Sequence, residues 1–235
     1  MRINLGRNFS SNEVINPGIV SFLNFASFKT LKESTETTNN VKFYCDGMLL
    51  ALLFSLLTLK KVKRFSFDFT SVADPVFRRC TELGKSVYFI GGTEQQSVIF
   101  TDKIKELHPD LSIAGFSSGY FDDWDAKANE ILAKRPSVVL VSMGAGYQEK
   151  MANLLLAKCP TIKVFTSGGF IRQISQSSNP NYYPNLVNRL KLRAFYRMYR
   201  EPHTIERYLI DYPISIFTIL RDFFSGQLII EGYSI

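Results

Sequence analysis

Three short runs in the sequence could hold a phosphorylated ligand: Ile90-Gly91-Gly92-Thr93, Met143-Gly144-Ala145-Gly146 and Thr166-Ser167-Gly168-Gly169. Each follows an apolar, β-branched run and precedes a segment of helical period. In a parallel sheet such turns lie at the carboxyl edge, where backbone N–H groups and helix N-termini favour anions. Any one of them alone is as well explained by a tight strand-to-helix turn; three in one sheet point to a diphosphate, with Gly91, Gly92, Gly144, Ala145, Gly168 and Gly169 as its contacts. A nicotinamide site fits poorly, because Glu149 stands where the third glycine of G-x-G-x-x-G belongs. The G-x-x-x-x-G-K-[ST] phosphate loop is absent as well.

Carboxylates come next. Asp46, between an apolar strand and Gly47, has two readings: an N-cap for a helix starting at Met48, or a base at the mouth of a cleft. Arg64 and Asp68, by themselves, read as an ordinary ion pair or a helix cap. Asp123-Trp124-Asp125 is a D-x-D, a pattern that elsewhere holds a divalent metal on a nucleotide diphosphate. Here it directly precedes a helical segment, and capping is the preferred reading. His108 and His203 lack partners in ligand spacing and read as surface residues. Cys45, Cys80 and Cys159 are odd in number and widely spaced, so neither a disulfide framework nor a zinc site is expected, and a reducing compartment fits. No metal and no cofactor is expected.

The elements that must position these residues alternate between short apolar runs and helical segments, the pattern of an α/β fold with a mainly parallel, Rossmann-like sheet. Strands are expected near residues 18–24, 41–45, 64–67, 86–91, 111–116, 137–143 and 162–166. The layout suggests two lobes around a cleft, residues 1–80 and 81–183, followed by an appendage at 184–235. In that appendage Arg189, Lys191, Arg193, Arg197, Arg200 and Arg207 are interleaved with leucines and aromatics. Such a segment suits an anionic bilayer better than nucleic acid, for which no motif is present. The net charge of +7 agrees with an anionic partner. The N-terminus has no apolar leader, and the apolar run 48–59 is too short to span a bilayer. The apolar stretch after Tyr212 is expected to bury against the body or a partner.

Several of these runs together resemble the WecG/TagA/CpsF glycosyltransferases. The likeness runs through Tyr88-Phe89-Ile90-Gly91-Gly92, Gly115 with Gly119-Tyr120-Phe121, residues 139–144 with Gln148-Glu149-Lys150, and Gly168-Gly169-Phe170. It continues through Leu192-Arg193-Ala194-Phe195-Tyr196-Arg197, Glu201-Pro202 and Arg207-Tyr208. The resemblance implies an inverting, metal-independent enzyme. It would move a sugar such as N-acetylmannosamine or a related hexose from a UDP donor to an undecaprenyl-diphosphate-linked saccharide. The expected setting is cell-surface polysaccharide synthesis, peripheral on the cytoplasmic face of the membrane. Asp46, in Asp46-Gly47, matches the family's proposed base, and Gln148 matches a glutamine near the donor. Asn24, Arg64, Asp68, Arg197 and Arg207 match positions on the acceptor or diphosphate side. The sequence departs from the family at Phe22, Gly146, Ile171 and Arg193-Ala194. Those departures motivate an alternative reading, a non-catalytic accessory subunit that supports a partner glycosyltransferase; a homo-oligomer is also compatible with the sequence.

Overall fold

The computed structural model describes residues 1–6, 8–34, 38–177, 196, 198–199 and 205–232. Among the described residues eight strands form one sheet: β1 (Arg2–Leu5), β2 (Gly18–Leu23), β3 (Val41–Cys45), β4 (Val87–Gly91), β5 (Ile113–Ser117), β6 (Val138–Ser142), β7 (Lys163–Thr166) and β8 (Ile229–Glu231). Their spatial order is β5-β4-β6-β7-β2-β3-β1-β8, and every pairing is parallel. The helices are α1 (Phe25–Glu33), α2 (Met48–Thr58), α3 (Ala73–Glu82), α4 (Glu94–Leu107), α5 (Trp124–Ala133), α6 (Tyr147–Lys158), α7 (Phe170–Gln176) and α8 (Tyr212–Phe224).

Strands covered on both faces need apolar residues at successive positions, not at alternate ones. Val87-Tyr88-Phe89-Ile90-Gly91 and Val138-Val139-Leu140-Val141-Ser142 meet that need, and both strands are buried throughout. Their side chains divide between two cores. Tyr88, Ile90, Val139, Val141 and Val164 face a layer built from α1, α2, α5, α6 and α8. Val87, Phe89, Val138, Leu140 and Phe165 face α3, α4 and α7. The second layer is aromatic. Phe67 touches the rings of Phe22, Phe77, Phe165 and Phe170 at centroid distances of 5.9, 6.0, 5.6 and 5.5 Å.

Six of the expected strands form within a residue or two of their expected limits. The seventh does not. Around residues 64–67 only a single bridge joins Arg64 to Cys45, because the chain turns at once: Asp68 N–H bonds to the Ser66 carbonyl and Val72 N–H returns to it. The sequence reading missed β1 and β8, which are four and three residues long; β1 pairs with β3 and β8, and β8 with β1. The stretch after Tyr212 buries against the body, as α8 on α1. Ser215 Oγ donates to the Phe25 carbonyl at 2.9 Å, Tyr212 packs on Phe25 at 5.0 Å, and Asp222 accepts from Lys32.

Truncating the ring at the centre of the aromatic layer leaves a cavity that four neighbouring rings cannot fill. Phe67→Ala should lower unfolding free energy by about 3–5 kcal/mol, read as a shifted urea midpoint with an unchanged m-value.

Candidate functional site

In an all-parallel sheet, every strand delivers the loop that follows it to the same edge. That edge collects Asn24 after β2, Asp46-Gly47 after β3, Gly92 after β4, Gly144-Ala145-Gly146 after β6 and Gly168-Gly169 after β7. From β4 the chain moves outward to β5, and from β6 it moves the other way to β7, so the β4/β6 junction is a topological switch point. Crevices at such points are where open α/β sheets take ligands. The backbones at this junction are in close contact: a Cβ on Gly91 would lie 2.2 Å from the Ser142 carbonyl oxygen. Only glycine fits there.

Hydrogen bonds tie the turns to one another. Gly119 N–H donates to the Gly92 carbonyl at 2.9 Å, joining the loops after β4 and β5. Ser142 Oγ donates to the Gly168 carbonyl at 2.7 Å, and Gly168 N–H donates to Gln148 Oε1 at 3.0 Å, joining those after β6 and β7. Beneath them lies Glu149, 1% exposed. It accepts from Ser21 Oγ at 2.9 Å, Gln148 Nε2 at 2.9 Å and Gly146 N–H at 2.8 Å, and Thr166 Oγ1 donates to Ser21 Oγ at 2.8 Å. Burial raises the Glu149 pKa above the ordinary carboxylate value, against the lowering effect of those donors.

On the other side of the same edge, Asp46 N–H bonds to the Leu23 carbonyl at 2.7 Å. Its carboxylate pairs with Arg64 Nη2 at 3.3 Å, and the same nitrogen reaches Asp68 Oδ2 at 3.4 Å and Ser66 Oγ. Asp46 keeps 36% of its side chain exposed, against 19% for Arg64 and 20% for Asp68. The N-cap position of α2 is held by Gly47, at φ 142°, so Asp46 stands one residue outside the cap. Its carboxylate is held by a cation at the rim. Asn24 adjoins Gly47, and its side chain caps α1 by accepting from Ser27 N–H at 3.0 Å.

The expected site residues therefore meet at one edge in two groups, Asp46–Arg64–Asp68 with Asn24 and the turns after β4, β6 and β7. Gln148 is 3% exposed, and both ends of its amide serve the turn network. Arg197 and the Arg207 side chain lie outside the described residues. The D-x-D divides its work: Asp123 caps α5 by accepting from Ala126 N–H at 2.9 Å, and Asp125 pairs with Lys158 at 2.8 Å. Among the described residues no group of three His, Cys, Asp or Glu side chains is arranged to hold a metal. His108 is not a surface residue. Its side chain is 9% exposed, between Phe69 and Phe77, and burial lowers its pKa.

Sequence reasoning missed Ser21, Ser142 and Thr166 as site residues. The available signal was a hydroxyl inside or ending an apolar strand, which costs free energy unless it is hydrogen-bonded. The departures Phe22 and Ile171 are both buried in the aromatic layer, and Ile171 Cγ2 would lie 3.3 Å from a Cβ on Gly92.

Because Glu149 titrates higher in the folded chain than in the unfolded one, the folded state holds the extra proton between the two pKa values. Its contribution to stability is therefore present below the unfolded value of about 4.5 and is lost as pH rises through the raised one. Glu149→Gln should remove that loss, so the wild type should fall relative to the variant as urea midpoints are followed upward from pH 4.

Comparison with known proteins accords with this geometry. The model of the Glycosyl transferase WecG/TagA/CpsF family matches residues 8–228. A UDP-Gal:alpha-D-GlcNAc-diphosphoundecaprenol beta-1,4-galactosyltransferase of Shigella boydii is 30% identical over 207 residues, covering 87% of this chain and 86% of the relative. An N-acetylglucosaminyldiphosphoundecaprenol N-acetyl-beta-D-mannosaminyltransferase of Bacillus spizizenii is 28% identical over 178 residues, 75% of this chain and 66% of the relative. Its namesake in Bacillus subtilis is 28% identical over 138 residues, 59% and 53%. With the family match spanning nearly the whole chain, the protein belongs to the WecG/TagA/CpsF family of glycosyltransferases.

Proposed function

We propose that this chain transfers a hexose, with inversion, from a UDP donor to a saccharide carried on undecaprenyl diphosphate. The observation that carries the reading is the half-exposed Asp46 carboxylate, paired with Arg64, on the same sheet edge as the glycine turns at the switch point. The relatives' names support the acceptor class, and one of them names a UDP donor and a β-linked product.

In this reaction Asp46 takes the proton of the acceptor hydroxyl as its oxygen bonds to the anomeric carbon. The carbon–oxygen bond to the diphosphate breaks on the opposite face, and UDP leaves with the electron pair. An α-linked donor thereby gives a β-linked product. The diphosphate lies against the backbone of Gly92, Gly144, Ala145 and Gly169. There the N-terminal ends of α4 and α6 stabilise the developing charge without a metal. Arg197 and Arg207 add positive charge to that side. The N–H groups of Gly146 and Gly168 are already taken by Glu149 and Gln148, so these residues shape the turns instead of binding the donor directly. Arg64 orients Asp46, and Asp68 orients Arg64. Two lobes, an acceptor-side one over residues 1–80 and a donor-side one over 81–183, are the arrangement this division of labour requires.

Asp46→Asn should lower kcat for transfer to a lipid-linked acceptor by about 10²–10⁴-fold while leaving UDP affinity unchanged. Unaltered turnover would remove Asp46 from the base role. Calorimetric titration with UDP in excess chelator should show binding, with none for NADH. Gln148→Ala should weaken it about tenfold, because the turn after β7 loses the acceptor of its Gly168 N–H. Absence of both UDP binding and turnover would favour the accessory-subunit reading.

A further inference from the structure

The central strands are buried, whereas α2 keeps an apolar face on the outside. Along α2, Leu50, Ala51 and Phe54 are buried, whereas Met48, Leu49, Leu52 and Leu56, with Leu59 just past the helix end, are 49, 59, 56, 65 and 90% exposed. At 3.6 residues per turn the exposed five fall within about 100° of the circumference, opposite the buried three. α2 carries no charged residue, and its sequence Met-Leu-Leu-Ala-Leu-Leu-Phe-Ser-Leu-Leu-Thr is apolar all round. A helix that is apolar all round belongs in an interior or against another apolar phase.

Two neighbours of the stripe say which phase. Immediately beyond it come the exposed Lys61 and Lys63. Immediately before it come Asp46 and Gly47, so the stripe starts at the catalytic rim. α8, which belongs to the same helical layer, repeats the arrangement. Ile214, Phe217 and Phe224 are 47, 68 and 78% exposed, with the exposed Arg221 among them, while Ser215, Ile219 and Asp222 face inward. Leucine and phenylalanine bordered by lysine and arginine is the composition of a face that lies in the boundary between acyl chains and anionic headgroups. No helix among the described residues is long and apolar enough to cross a membrane, and a helix lying in the interface needs no such length.

We infer that the exposed face of α2 is a membrane-docking surface for an anionic bilayer, which brings Asp46 to the level where a lipid-linked acceptor presents its saccharide. The inference rests on the acceptor class proposed above. It assigns docking to a helix separate from the basic segment at residues 184–208, most of which lies outside the described residues. In this geometry the lipid end of the acceptor stays in the bilayer while its hydroxyl reaches Asp46 at the start of the same helix.

The test uses the full chain and Leu52→Ser/Leu56→Ser, two exposed positions whose replacement leaves the core intact. Co-sedimentation with phosphatidylglycerol-containing vesicles and with pure phosphatidylcholine vesicles measures docking. Turnover is followed with a vesicle-embedded acceptor and with a short-chain, water-soluble analogue. The wild type should partition onto anionic vesicles, and the double variant should lose about tenfold or more of that affinity. Its turnover should fall on the embedded acceptor alone and stay unchanged on the soluble one. Equal vesicle binding by the two proteins overturns the inference. So does a variant whose only change is conversion of a dimer to a monomer in size-exclusion chromatography, because the stripe would then be a self-interface. Wild-type vesicle binding without turnover of either acceptor would count against the proposed reaction while leaving the docking result to stand on the sedimentation data.

Discussion

A carboxyl group buried between a sheet and a helix must be satisfied, and the satisfaction of Glu149 organises this molecule. Its two oxygens take hydrogen bonds from β2 through Ser21, from the glycine turn after β6 through Gly146, and from its own helix through Gln148. Ser21 is in turn reached by Thr166 of β7, and Gln148 holds the turn after that strand. Removing any one partner would leave the others buried and unpaired, at a cost of about 1–3 kcal/mol each. The turns are therefore fixed relative to one another by a polar network below them, and their backbone conformation does not depend on a ligand.

That network also spans the seam between the halves of the sheet. β7 pairs with β2 from Gly18 to Val20, and the Thr166–Ser21–Glu149 hydrogen-bond chain links the same two strands to α6. Asp46 stands at the end of the same strand, its backbone N–H bound to the Leu23 carbonyl of β2. The candidate base and the candidate donor turns come from distant stretches of sequence. They share an edge because every strand runs in the same direction.

The opposite face of the sheet is built differently. Its aromatic layer puts Phe67 among four rings and takes in Phe22 and Ile171. Edge-to-face ring contacts of this kind add to area burial. They line the layer below the turns after β4 and β7, and the exposed leucine-rich surface lies on the face that carries α2 and α8.

By itself the sequence determined the fold class, six of the strands, the glycine turns and the capping role of Asp123, because each rests on local physics: continuous apolar runs, backbone conformations that favour glycine, and a carboxylate at a helix start. It could not supply β1 and β8, which are too short to carry a periodic signal and are strands through their pairing, β1 with β3 and β8 with β1. It over-read residues 64–67, an apolar run that the local Ser66 and Asp68 bonds turn away from the sheet after one bridge. It took His108 for a surface residue, since nothing local announces that two phenylalanines will enclose it. Only the tertiary structure decided that Asp46 pairs with Arg64 instead of capping α2, that Gln148 is enclosed in the turn network, and that half of an all-apolar helix faces outward. Each of these depends on which residues distant in sequence arrive beside it, and neither spacing nor composition encodes that.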